Sequence, residues 1–304
     1  MGYSMNKKSS KYLAKHFKGS VESKTILITG GNSGIGFESA KIALYLKMNV
    51  IIACRSQQRG ENAINQLKEE FPDGNISLMI VDMSEKDSII NFVNEIKEKR
   101  INIDVFYHNA GVYRLPYQLK YNQELVVLTN YYGPYLLTNL LLDYLHSLKH
   151  NVKMVFTSSI AANWATKKVD MLEPNEKVSR MVRYSNSKLL DAHLFKYLLD
   201  NDKENVEYYL VHPGVTATSL FNKAYKNKTF VSCATVFVKM FGNPLWKSSL
   251  SITRVLSEDS VPGKFYGPTH IFGVRGYPKE NHFLDKKLKN NSDIINKTKE
   301  IVKL

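Results

Sequence analysis

The stretch TILITGGNSGIG, Thr25–Gly36, decides how the rest of the chain is read. A short β-branched apolar run passes directly into a glycine-rich loop, and a helical pattern follows. Such a chain must turn sharply and bring its backbone close to whatever it binds. Gly30, Gly34 and Gly36 permit both, with Asn32, Ser33 and Ile35 filling the loop between them. The free N–H groups and positive dipole end of the following helix favour a phosphate there. A strand, this loop and a helix in that order near the N-terminus predict a pyrophosphate cradle.

Further along, short apolar runs recur at Val50–Ala53, Ile76–Val81, Ile103–Tyr107, Val152–Thr157 and Val206–Val211. Segments of helical period separate them. Apolar runs alternating with amphipathic helices predict a doubly wound parallel β-sheet with helices on both faces, a three-layer α/β/α arrangement. With 304 residues and no Pro/Gly-rich linker, a single domain over 21–275 is expected. A basic extension (1–20) precedes it and a peripheral tail (276–304) follows. In such sheets ligands collect beyond the carboxyl ends of the strands, so the residues after each run carry the functional reading.

After the second run stands Arg55, where an NAD site normally has an acid to hold the ribose hydroxyls. A guanidinium fork suits a 2′-phosphate, so NADP(H) is expected over NAD(H). After the third run, Asp82-Met83 offers an acceptor for the adenine amino group. Asp82 serves equally as an N-cap for the segment from Ser84, and the two roles can coexist. After the fourth come Asn109, Ala110 and Gly111, small enough to let a cofactor lie across the strand end. After the sixth, Pro213-Gly214-Val215 ends the strand, and exposed backbone with the Thr218 hydroxyl can bind a carboxamide. His108 and His212 read as structural, and no metal site is expected.

Ser158 and Ser159 follow the fifth run, and Tyr184 and Lys188 stand farther on, four residues apart. On a helix that spacing puts them on one face. A free phenol, with a pKa of about 10, is a poor base at neutral pH. A neighbouring ammonium favours the phenolate, and a bound NADP⁺ ring adds positive charge. The pair then serves general acid–base chemistry on a carbonyl–alcohol couple, with a serine hydroxyl, Ser159 for choice, holding the substrate oxygen.

Composition narrows the class without choosing the chemistry. The net charge of +14 suits anionic partners, but the lysines are scattered and not interleaved with aromatics, which fits solvated helix faces and not a nucleic-acid surface. Two cysteines make no disulfide framework, so a reducing, cytoplasmic setting is expected.

Taken in order, the Thr29–Gly36 motif, Asn109-Ala110-Gly111, Ser159, Tyr184-x-x-x-Lys188 and Pro213-Gly214 resemble the short-chain dehydrogenase/reductase family, over roughly residues 20–270. Within it the chain looks most like the retinol dehydrogenase-like reductases. The resemblance implies a Rossmann fold and an NADP-dependent oxidoreductase with Tyr184 as acid/base. It implies that Lys188 binds the nicotinamide ribose, that Ser159 orients the substrate oxygen, and that Asn130 holds a water in a proton relay. His108 departs from the usual asparagine, and Asn186 from a small or basic residue.

The apolar segment Ser219–Trp246 reads as a substrate lid over a hydrophobic pocket for an apolar or lipid-like carbonyl or alcohol. The second reading is a contact with a membrane surface or with another copy in a homo-oligomer. A catalytically silent dinucleotide sensor is the competing function, and the full Asn130, Ser159, Tyr184 and Lys188 set argues against it. A sugar-nucleotide epimerase would need more chain after Pro213 than this one has.

Overall fold

A computed structural model describes residues 6–166, 170–216, 242–270, 273–288 and 292–302. Ten strands are described: β1 (Thr25–Thr29), β2 (Asn49–Cys54), β3 (Ile76–Ile80), β4 (Val105–His108), a short hairpin of β5 (Leu119–Lys120) and β6 (Gln123–Glu124), β7 (Val152–Thr157), β8 (Val206–Val211), β9 (Phe265–His270) and β10 (Arg275–Glu280). Eight form one sheet in the order β10-β9-β8-β7-β4-β1-β2-β3. Every pairing is parallel except β9 with β10. All six apolar runs become strands, with ends moved by at most two residues.

The sheet is covered on both faces because its strands alternate apolar side chains with period two. Leu27, Ile51, Phe106, Met154 and Leu210 point into one core, which α4 (Lys86–Glu98), α6 (Gly133–Ser147) and α7 (Arg180–Asn201) close. Ile26, Ile28, Ile52, Tyr107 and Val211 point into the other, against α2 (Gly34–Tyr45), α3 (Gln57–Glu70) and the helix Ser251–Leu256. Parallel strands with both faces buried carry no polar alternation, which is why the runs look continuously apolar.

The described segments on either side of the expected domain join this body. The helix α1 (Lys7–His16) buries Leu13 against Ile42 and Leu250. The strand Arg275–Glu280 lies inside the sheet, across the 275/276 boundary expected from the sequence, and the helix Ser292–Val302 buries Ile295 in the first core. The expected tail is therefore an edge strand followed by a packed helix. Proline and glycine at 267–268 and 276–278 masked both final strands.

Between the hairpin and α6, a short helix α5 (Leu125–Val127) runs into a π-helical stretch, Leu128–Tyr132, and then into α6 at Gly133. A methyl group on Gly133 would collide with the backbone carbonyl of Met83. Glycine here lets the loop after β3 dock on the head of α6. We predict that Gly133→Ala lowers unfolding free energy by about 1–3 kcal/mol, the cost of overpacking. Equilibrium denaturation checks it, and a midpoint matching the parent would show that the loop yields freely.

Candidate active site

The sheet order reverses between β1 and β4, so the elements leaving these two neighbours diverge and open a crevice at their carboxyl ends. A cleft of about 460 Å³ lies there. Its floor is built by mutual locking of the two strand ends. Asn109 Nδ2 donates to the carbonyls of Thr29 (2.9 Å) and Gly30 (3.4 Å). The Thr29 hydroxyl accepts from the backbone of Asn109 (3.1 Å) and Ala110 (3.0 Å). Gly30 has φ +68°, and a Cβ there would lie 2.9 Å from Ala110 Cα. At Gly36 a Cβ would lie 2.5 Å from Asn109 Nδ2. Neither position has room for a side chain.

The cleft is lined by Gly30, Asn32, Ser33, Gly34 and Ile35 from the loop, and by Arg55, Asp82 and Met83. Asn109, Ala110, Gly111, Ser159, Tyr184, Lys188, Pro213, Gly214 and Val215 complete the expected set that meets there. Gly36 lies behind the loop in α2. Thr218 and the lid stretch 219–241 fall outside the described residues. Asp82 accepts from the backbone (2.9 Å) and hydroxyl (2.8 Å) of Ser84, while α4 itself starts at Lys86. Its carboxylate thus turns the chain before the helix while still facing the cleft.

Asn130 does not line the cleft. Its buried amide accepts from Val112 N (2.7 Å) and donates to Val112 O (2.9 Å) and Ser187 Oγ (3.0 Å). Ser187 Oγ in turn donates to Tyr184 O at 2.8 Å. The side chain thus braces the segment after β4 against the turn of α7 that carries Tyr184.

The two serines divide their work. Ser158 Oγ is buried and donates to Lys188 O at 3.1 Å. Ser159 caps the 3-10 turn Ile160–Trp164, accepting from Ala161 N at 3.2 Å, and among the described residues its hydroxyl proton has no acceptor and can turn to the cleft. Lys188 Nζ donates to Thr157 O (2.8 Å) and to Asp191 Oδ2 (2.9 Å). Burial works against its charge, but the Asp191 carboxylate together with Tyr184 offsets this and holds Lys188 above the ordinary lysine range. The Tyr184 ring meets Tyr113 edge-on, with centroids 4.7 Å apart.

Several lining residues escaped the sequence reading. Arg59 stands in the first turn of α3, four residues after Arg55, a nearness in sequence that could have revealed it. Tyr113, Ile160, Trp164 and Met181 give the Tyr184 end an apolar wall, Tyr113 Oη lying 3.8 Å from Met181 Sδ. They come from loops and helix starts whose approach no local pattern announces. Trp164 is 58% exposed, a large aromatic surface to leave in water beside a binding cleft.

The two strand-end histidines are structural. His108 stacks on Phe156 and shares a 3.1 Å hydrogen bond with Thr138. Burial, with help from the Lys188 charge, pushes it down to about 3. His212 bonds Gly273 O at 2.9 Å, and burial pushes it down to about 4 against that bond.

The sheet order, the glycine cradle and the strand-end cleft define a dinucleotide-binding α/β protein. The profile of the short chain dehydrogenases matches residues 24–229, and the chain belongs to that family. It is 31% identical to retinol dehydrogenase 14 of Mus musculus over 268 residues, 82% of this chain and 79% of that protein. It is 32% identical to polyprenol dehydrogenase of Homo sapiens over 210 residues, 66% and 63% of the two chains. A solved protein of Mycobacterium paratuberculosis superposes with a TM-score of 0.71 at 22% identity, covering 95% and 97% of the chains. Levodione reductase superposes at 0.64 with 18% identity, covering 78% and 92%. Among the described residues, no helix is long and apolar enough to cross a membrane.

Two buried neutral histidines set an acid limit on stability. The unfolded chain protonates them near pH 6.5, and the folded chain resists until about 3 and 4. Within that window the unfolded state binds more protons, so stability falls as pH drops, by up to about 1.4 kcal/mol per pH unit for each histidine. We predict that His108→Asn loses less stability than the parent between about pH 7 and 5. Parallel slopes in denaturation would remove His108 as a source.

Proposed function

We propose that this carbonyl–alcohol oxidoreductase uses NADP(H), takes an apolar or lipid-like substrate, and passes the proton through Tyr184. The observation that carries the reading is the convergence of Ser159, Tyr184 and Lys188 in the same cleft as the glycine loop. The cradle fits a dinucleotide because Gly30 and Gly36 have no room for side chains, so backbone can approach a pyrophosphate. The loop Gly30–Ile35 and the head of α2 would hold the pyrophosphate. Asp82 and Met83 would hold the adenine, and Pro213–Val215 the carboxamide. Arg55 and Arg59 line the cleft beyond β2, and both are exposed and able to bond a 2′-phosphate. A nicotinamide held this way would supply or accept the hydride.

The rest of the work belongs to the chain. Ser159 donates its hydroxyl proton to the substrate oxygen and orients it. In reduction Tyr184 Oη gives its proton to that oxygen, and in oxidation it takes the proton back. Lys188 stabilises the negative charge this leaves on the phenol, and Asn130 positions the tyrosine's helical turn through Ser187. Tyr113, Ile160, Trp164 and Met181 exclude water and receive the apolar part of the substrate. The relatives named for retinol and polyprenol support such a substrate. A cytoplasmic setting is proposed with it.

Tyr184→Phe should reduce NADPH-driven turnover over a panel of apolar carbonyls by about 10²–10⁴-fold, the range of general acid catalysis. Turnover equal to the parent would remove Tyr184 from the mechanism. Arg55→Asp should lower the preference for NADPH over NADH by about 10–100-fold, the worth of a hydrogen bond to a charged group. An unchanged ratio of kcat/KM for the two cofactors would sink the 2′-phosphate assignment.

A further inference from the structure

One buried charge in the site has no part in that mechanism. Asp191 stands on α7 one turn beyond Lys188, with 4% of its surface exposed. Its Oδ2 accepts from Lys188 Nζ at 2.9 Å. Its Oδ1 has no hydrogen-bond partner among the described residues. A carboxylate buried this way, bonded to one ammonium, is costly unless that contact has a use.

The contact does two things at the lysine. An ammonium has three donors. Thr157 O and Asp191 take two, so one proton is left to point into the cleft that Lys188 lines. The carboxylate also offsets the ammonium charge, which is the charge that stabilises a phenolate at Tyr184. We propose that Asp191 is a positioning residue for the proton-transfer pair, fixing the Lys188 ammonium and moderating its field so that Tyr184 keeps its proton for carbonyl reduction. This rests on the acid/base role given to Tyr184 above.

The surroundings leave Asp191 as the compensating charge. From β4, His108 is held neutral by burial and by Lys188. From the π-helical stretch, burial pushes Tyr131 up and keeps it protonated, with its hydroxyl on Thr298 of the helix Ser292–Val302. From the segment after β4, Tyr113 faces Tyr184 with its ring. From β7 the contact is the Thr157 carbonyl. Glu124, at the head of α5, pairs with Arg183. Tyr208 of β8 is bonded to Asp202 at the far end of α7.

The test compares the parent with Asp191→Asn and Asp191→Glu, each with and without Tyr184→Phe. The first readout is the ultraviolet difference titration of tyrosinate in cofactor-free protein, subtracting the Tyr184→Phe partner. The second is the pH profile of kcat/KM in both directions. Asp191→Asn should move the Tyr184 titration, the alkaline fall of reduction and the alkaline rise of oxidation to lower pH, each by about one unit. Asp191→Glu, which keeps the charge, should titrate like the parent. Asp191→Ser substitutes if the asparagine variant does not fold. Profiles of Asp191→Asn that coincide with the parent would overturn the proposal. So would loss of folding in both neutral variants while Asp191→Glu folds, because Asp191 would then serve stability alone. Full turnover by Tyr184→Phe would instead strike the underlying acid/base reading, an outcome distinct from either.

Discussion

Everything at this site depends on two adjacent strand ends being held together while the elements leaving them part. Asn109 and Thr29 do the holding. The amide of Asn109 satisfies carbonyls at the start of the glycine loop, and the Thr29 hydroxyl satisfies the amides of the segment after β4. These backbone groups would otherwise face the cleft unpaired or bind water, and either would cost rigidity where a ligand must be gripped. The absence of a side chain at Gly30 and Gly36 follows from the same closeness, because Ala110 Cα crowds the first and the amide of Asn109 the second.

A second brace ties this floor to the catalytic helix. The side chain of Asn130 bonds both backbone groups of Val112 and the hydroxyl of Ser187, and Ser187 bonds the carbonyl of Tyr184. Asn130 sits in the π-helical stretch, where one extra residue per turn breaks the regular ladder. The wider turn and the abrupt start of α6 at Gly133 occur together, next to the loop that carries Asp82 and Met83. A single irregular segment thus touches both the cofactor end and the proton-transfer end of the cleft. The stretch also carries packing of its own, with Tyr131 and Tyr132 buried in the first core.

The sheet and most of the site were legible because they rest on short-range patterns. Buried parallel strands write themselves as continuous apolar runs, and a glycine loop between a strand and a helix has few other uses. Lys188 four residues after Tyr184 places both on one face wherever the helix begins. What escaped detection depends on elements far apart in the chain. The last two strands, broken by proline and glycine, are ordered by pairing with β8 and with each other and not by their own propensity. The apolar wall joins Tyr113, Trp164 and Met181 from three separate loops and helix starts. The bracing bonds of Asn130 to Val112 and Ser187 likewise join separate parts of the chain, and only packing reveals them. Asp191 had a readable signal, an acid three residues from the key lysine, but an i,i+3 pair on a helix is usually a solvated surface pair. Burial is what changes its meaning.

The two ends of the cleft solve opposite electrostatic problems. Beyond β2, Arg55 and Arg59 are exposed, so their charge is screened by water until a phosphate displaces it and gains the full charge-assisted bond. At the other end Lys188 is buried beneath the half-buried Tyr184, and a lone ammonium there would act on the phenol at short range through a poorly screening interior. Lys188 is buried, and it is matched by a carboxylate buried as deeply. The ordinary reason for such a pair is that burial is costly to each charge and each lowers the cost to the other. Here the same pairing also sets how strongly the lysine pulls on the tyrosine's proton. The requirement for stability and the requirement for a usable acid then fall on one contact, so the charge balance of the core and the chemistry of the cleft cannot be varied separately.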